Sequence, residues 1–255
     1  MTKKSQRPVA LITGASRKIG IGAAIAQKLA YAGWDIAFTY WHPYDKSMEW
    51  GSNPDDINTI VASIEKAGSQ ALPVEADFSN PQVPADVFCH VGQKMGSVTA
   101  LIINHCHSVD SDILNTTVEG FDKHFAVNTR ASWLLIREFA QRFNSEPGAG
   151  RIISVTSDHT AFNMPYGASK GATDRIVLAA AWEFKDKGIT ANVINPGATD
   201  TGWMTNELEA VVKNRTLAGR VGLPGDCANL VAFICSPEGG WINAQVLYSN
   251  GGLGV

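Results

Sequence analysis

Short apolar or β-branched runs alternate with longer stretches of helical period along most of the chain. The runs are Val9–Thr13, Asp35–Tyr40, Ala71–Glu75, Leu101–Asn104, Arg151–Val155, Ala191–Asn195 and Gln245–Tyr248, bounded by Gly, Pro, Asn or Asp. Most are continuously apolar, as strands buried on both faces are, and not strictly alternating. Between them the spacing predicts helices over Ile21–Ala32, Asp55–Ala67, Phe121–Phe143, Tyr166–Lys185 and Ala228–Cys235. This rhythm predicts an α/β fold with a doubly wound, seven-stranded parallel sheet and helices on both faces. Ligands bind such sheets outside the carboxyl ends of the strands. No internal repeat or low-complexity linker interrupts the pattern. The longest apparently irregular connection is Trp41–Asn53, which holds two Trp, a Tyr and a Pro. It reads as a functional loop or as a surface flap packed by its own aromatics.

Composition narrows the function classes. With 255 residues, 45% hydrophobic, the chain can bury a large core without covalent staples. A net charge of -3 and no run of Lys and Arg argue against non-specific nucleic-acid binding. Cys89, Cys106, Cys227 and Cys235 show no CxxC spacing and read as reduced thiols of a cytosolic protein. Met1–Pro8 is polar, and the apolar stretch Val9–Ile12 is too short for a signal-peptide core. No window approaches the ~20 apolar residues of a membrane span. The expectation is a cytoplasmic protein without membrane or nucleic-acid partners.

The first predicted strand runs directly into TGASRKIGIG, Thr13–Gly22, and then into a helix. Glycines there permit a tight turn and close backbone approach, while the helix N-terminus offers free N–H groups to a pyrophosphate. A Gly-rich turn is a weak signal alone, and its position between strand and helix strengthens it. Dinucleotide sites of this Rossmann kind place an acid about 20 residues on, against the ribose 2′-OH. Asp35 has roughly that separation but stands at the start of the second strand. The strand's other end, Phe38-Thr39-Tyr40-Trp41, has no acid, and Arg17 and Lys18 add positive charge to the turn. NADP(H) is therefore favoured over NAD(H).

Tyr166 has a lysine four residues on, in YGASK, at the start of a predicted helix after the fifth strand. Residues four apart share a helix face. A free tyrosine titrates near pH 10, and a neighbouring ammonium stabilises its phenolate. Tyr166 and Lys170 thus make a candidate acid/base pair, or alternatively a surface pair without function.

With these landmarks in order, the chain resembles the short-chain dehydrogenase/reductase family from Val9 to Gly252. Thr13–Gly20 is similar to its TGxxxGxG motif, which implies cofactor contacts at Gly14, Ser16, Arg17, Lys18, Ile19 and Gly20. Asp77, in ADFS, corresponds to the acid that contacts adenine, and Asn104 to the first residue of NNAG. Asn128 in FAVNTRA, Ser157 closing GRIISVTS, and Tyr166 and Lys170 in YGASK correspond to the catalytic set. NPGATDTG, with Pro196, Gly197 and Thr199, corresponds to the segment bordering the nicotinamide. The resemblance implies a single NAD(P)-binding domain over residues 1–255 with a substrate lid near 202–218. It also implies an oxidoreductase interconverting a ketone, 3-oxoacyl compounds among the candidates, and a secondary alcohol. Tyr166 would then pass the proton, Lys170 would lower its pKa and hold the nicotinamide ribose, Ser157 would hold the substrate oxygen, and Asn128 would anchor a water.

Three departures mark this chain. Lys18 replaces the middle glycine of TGxxxGxG, where it meets phosphate or ribose or points to solvent. NNAG has become Asn104-His105-Cys106-His107. Adjacent side chains at a strand end face opposite ways, so a His-Cys-His metal site is not expected; the imidazoles should pack beside the cofactor cleft, one of them within reach of substrate. The link from Ser157 to Tyr166 is shorter than usual, which makes Thr160 the fallback for Ser157 and assigns Asp158 and His159 to the pocket wall. Trp203 and Met204 make the lid entry apolar. The tail resembles the 3-oxoacyl-carrier-protein-reductase-like members. Trp133, Leu134, Ile136, Phe139, Ile176, Val177 and Trp182 suggest a homo-oligomer, dimer or tetramer. The competing expectation is a regulatory protein of the same fold that binds NADP(H) without turnover.

Overall fold

A computed structural model describes residues 7–254; the polar segment Met1–Pro8 of the sequence reading lies, up to residue 6, outside them. Seven parallel strands form one sheet in the order β3-β2-β1-β4-β5-β6-β7. They are β1 (Val9–Ile12), β2 (Asp35–Tyr40), β3 (Ala71–Glu75), β4 (Val98–Ile103), β5 (Arg151–Val155), β6 (Thr190–Asn195) and β7 (Val246–Tyr248). The continuous apolar runs have a direct cause. Ala10 and Ile12 enter one core layer, with Phe38, Ile102 and Ile153, while Val9 and Leu11 enter the other, with Leu101 and Ile152. Both faces are dry, so both residue parities must be apolar.

Helices α1 (Ile21–Tyr31), α3 (Asp55–Lys66) and α9 (Pro224–Cys235) cover the first face through Leu29, Ile60 and Ile234. The second is covered by α4 (Val83–Met95), α6 (Ala131–Arg142) and α7 (Met164–Glu183) through Phe88, Phe139 and Val177. Burying a side chain of this size contributes about 1.5–3 kcal/mol. Helix α4 was not in the sequence pattern, nor was the short α2 (His42–Ser47) inside the connection that had read as irregular.

The predicted helix Phe121–Phe143 is three pieces: α5 (Val118–His124), a π-helical turn (Phe125–Arg130) and α6. The lid segment contains α8 (Asn206–Arg215), capped by the Thr205 hydroxyl. Of the apolar residues read as an oligomer face, Leu134, Ile136, Phe139 and Val177 belong to the core, whereas Trp133 and Trp182 are exposed. Among the described residues no helix is long and apolar enough to cross a membrane. The order of strands reverses between β1 and β4, and the connections leaving their carboxyl ends meet there. That switch point organises the site.

Candidate active site

The Gly-rich turn leaves β1 and is held from both sides. Gly14 and Ala15 donate their N–H groups to the hydroxyl and carbonyl of Thr39 at 3.2 and 2.8 Å. The Asn104 side-chain amide donates to the carbonyls of Thr13 and Gly14 at 3.2 and 2.8 Å. Gly14 has φ +74°, and a Cβ on it would lie 2.6 Å from His105 Cα, so no side chain fits. The N–H groups of Ile19 and Ile21 have no protein acceptor among the described residues. A turn with free N–H donors at a helix N-terminus fits a pyrophosphate.

Arg17 donates to the Thr201 carbonyl at 2.8 Å and lies over the Trp50 ring at 5.0 Å, which puts a guanidinium beside the turn. Lys18 pairs with Asp56, the second residue of α3. Its N–H donates to that carboxylate at 3.2 Å and its ammonium stands 3.6 Å away. Ser16 accepts the Trp41 N–H at 3.2 Å. Asp77 follows β3 and accepts the Ser79 N–H at 2.9 Å. Pro196, Gly197 and Thr199 follow β6, where Thr199 pairs with Gly222.

The catalytic candidates gather at the carboxyl end of β5. Pro165, the second residue of α7, needs no N–H donor there, and Tyr166 follows within the first turn. Lys170 is buried; its ammonium donates to the Val155 carbonyl at 2.8 Å and lies 5.9 Å from the Tyr166 ring centre. Burial lowers the Lys170 pKa, opposed by Cys106 and Asp174. Burial also raises the Tyr166 phenol well above its ordinary value, as do Cys106 and Tyr44, while a hydrogen bond with the Ser157 side chain lowers it. Tyr166 is thereby a neutral O–H donor. Thr160, by contrast, is exposed, as are Asp158 and His159.

Asn128 sits in the π-helical turn. Its carboxamide donates to the His107 carbonyl at 2.9 Å and to the Ser169 hydroxyl at 2.8 Å, and accepts the His107 N–H at 2.7 Å. The Asn128 carbonyl accepts the hydroxyls of Ser132 and Thr173. A widened turn at a functional residue is a recurring use of the π-helix. The three residues after Asn104 separate as adjacent side chains on extended chain do. Buried His105 gives its Nε2–H to the Val127 carbonyl at 2.9 Å, so Nδ1 accepts the Thr13 hydroxyl at 2.7 Å. Burial raises the Cys106 thiol pKa, opposed by the Lys170 charge, and the His107 ring packs on His124 at 4.6 Å.

Comparison with known proteins identifies the family. The family model described as enoyl-(acyl carrier protein) reductase matches residues 14–254. The chain belongs to the short-chain dehydrogenase/reductase family. It is similar to the oxidoreductase YjdA of Bacillus subtilis, 36% identical over 98% of both chains. It is also 34% identical to an NADPH-dependent aldehyde reductase-like chloroplastic protein of Arabidopsis thaliana, over 96% of this chain and 93% of that one. A short-chain dehydrogenase from Burkholderia cenocepacia in complex with NADP superposes with TM-score 0.84 at 31% identity, over 98% of this chain and 99% of that chain.

In this short-chain dehydrogenase/reductase, His105 does a structural job. With both ring nitrogens occupied and Phe78 packed 4.4 Å away, it stays neutral. Burial, then the Lys170 charge, push its pKa down to about 3. Since an unfolded histidine titrates near 6.5, the unfolded chain takes the proton first. Stability is therefore expected to fall as pH drops from about 6.5 toward 3, by up to about 1.4 kcal/mol per pH unit from this group. His105→Asn should flatten that acid limb, which urea midpoints at pH 7 and pH 4.5 would measure. Sequence reasoning did not single out Thr13, Thr39 or Ser169, which orient the assigned residues through long-range hydrogen bonds. Nor did it single out Tyr44.

Proposed function

We propose that this oxidoreductase is NADP(H)-dependent and interconverts a carbonyl compound and an alcohol, with Tyr166 as the general acid/base. The arrangement that carries this reading is the buried Lys170 ammonium, fixed by the Val155 carbonyl at 2.8 Å and held 5.9 Å from the centre of the Tyr166 ring. When bound, the nicotinamide supplies or accepts the hydride.

The residues account for the proton. Neutral Tyr166 is in the form that donates to a carbonyl oxygen, and Ser157 would hold the same oxygen. The phenolate left behind is stabilised by the nearby positive charge of Lys170. Asn128 fixes the His107 peptide opposite and, through Ser169, the first turns of α7. Ketones, including 3-oxoacyl thioesters, and aldehydes are the substrate classes to test. NADPH oxidation with such a panel should reveal turnover with at least one class; NADPH binding without any turnover would overturn the reading.

The Gly-rich turn, Asn104 and Asp77 on one side and Pro196, Gly197 and Thr199 on the other are the proposed cofactor contacts. Arg17 is the proposed partner of the 2′-phosphate. Arg17→Ala is expected to weaken NADPH binding about 10–100-fold, the worth of charged hydrogen bonds. Its Trp50 and Thr201 contacts would be lost for both cofactors, so the NADPH/NADH ratio of dissociation constants is the readout. Equal weakening would remove the assignment. A cytoplasmic homo-oligomer completes the proposal, supported by exposed Trp133 on α6 and Trp182 on α7.

A further inference from the structure

The connection from β2 to α3 is a built element. Its His42 and Ser52 side chains meet at 2.7 Å, and the Trp50 indole donates to buried Asp45 at 3.2 Å. It is tied to the Gly-rich turn by Ser16 and by Arg17 over Trp50. At its far side the Tyr44 hydroxyl donates to the Ser108 carbonyl and accepts the Ser108 N–H, both at 3.2 Å. Ser108 lies beyond the end of β4, and β1 stands between β2 and β4 in the sheet. The connection therefore crosses the carboxyl end of β1 and delivers an aromatic ring to the other side of the switch point.

That ring arrives beside His107, whose N–H and carbonyl are both held by the Asn128 carboxamide. The Tyr44 ring is tilted 58° against His107 at 5.6 Å and meets the Trp50 ring near edge-on at 6.5 Å. Its hydroxyl is consumed by one peptide, so what it offers a ligand is the remaining surface of a half-buried ring held at a set angle.

We infer that Tyr44 is a specificity-determining residue: a fixed aromatic wall, supplied by the β2–α3 connection, that favours carbonyl compounds bearing a planar aryl substituent. The inference rests on the reading of Tyr166 as the proton donor. Planar π-systems gain from offset or edge contact with such a ring, whereas a flexible alkyl chain gains only area.

The test is kcat/KM with NADPH for matched aryl and straight-chain aldehydes and ketones, using wild type, Tyr44→Phe and Tyr44→Ala, with NADPH dissociation constants measured alongside. Tyr44→Ala should lower kcat/KM for the aryl member about tenfold and for the straight-chain member less than about threefold. Tyr44→Phe, which keeps the ring, should retain most of the aryl preference. NADPH affinity should stay within about twofold. An equal loss for both members would mean a merely structural role and overturn the inference. So would a loss of NADPH affinity in step with activity, which would make the element a cofactor clamp. A wild type that prefers the straight-chain member of every pair would do the same. If Tyr44→Ala does not fold, Tyr44→Leu provides the ring-less arm. Tyr166→Phe with undiminished turnover would sink the acid/base assignment, while the aryl to straight-chain ratio would still report on Tyr44.

Discussion

Tyr166→Phe is expected to lower kcat by about 10²–10⁴-fold, the usual contribution of a positioned proton donor. The substitution is clean. It keeps the ring that lies 5.9 Å from the Lys170 ammonium and removes only the hydroxyl. Burial already holds that hydroxyl protonated, so the wild-type group enters the reductive reaction in its active form. Lys170 remains anchored by the Val155 carbonyl in the variant, and NADPH binding should change little. Stopped-flow oxidation of NADPH together with a fluorescence titration separates the two effects. Residual kcat above about a tenth of wild type would mean that another group supplies the proton.

Gly167→Ala should be nearly as damaging, for a reason that lies outside the chemistry. Gly167 follows Tyr166 in the first turn of α7, and a Cβ there would lie 1.9 Å from the His159 carbonyl oxygen. That atom is backbone and cannot swing aside. The segment it belongs to, from Ser157 to Asn163, is already tightly turned, with Phe162 at φ +63°. Helix propensity alone would make alanine favourable by about 0.5–1 kcal/mol. Overpacking costs about 1–3 kcal/mol, and displacing a catalytic group by about 1 Å costs about 10²-fold in rate. The steric term wins. We expect a lower Tm and a kcat/KM reduced about 10²-fold through Ser157. A variant more stable than wild type would show that the segment yields freely.

Much of the scaffold was legible because both parities of its strands are apolar. The seven runs became seven strands, with β4 starting three residues earlier, at Val98, where Thr99 interrupts the apolar pattern. Over helix α4 the apolar pattern is interrupted by Pro84 and Gly92. Yet Pro84 stands in the first turn, where it is tolerated, and Val87, Phe88, Val91 and Met95 form a buried face at helical spacing. The π-helical turn has no signature in the sequence, since its pattern is that of the α-helix around it. The site is legible in part: the order of its landmarks can be read along the chain, and the partners of Lys18 and Arg17 cannot. Asp56, Trp50 and Thr201 reach them only through tertiary folding. The aromatic content of Trp41–Asn53 was the one sign that this connection had work to do.

The turn around Asn128 has a consequence for how this chain can change. A π-helical turn is an α-helix that has absorbed one surplus residue without altering the faces of the helices on either side. In this chain α5 and α6 keep their own contacts, and the surplus is confined to Phe125–Arg130. Loss of a single codon there would heal the helix and leave the sheet and both core layers in register. It would also withdraw the carboxamide that clamps the His107 peptide to α7. In evolutionary terms, the fold and the readiness of its site can be uncoupled by one in-frame deletion.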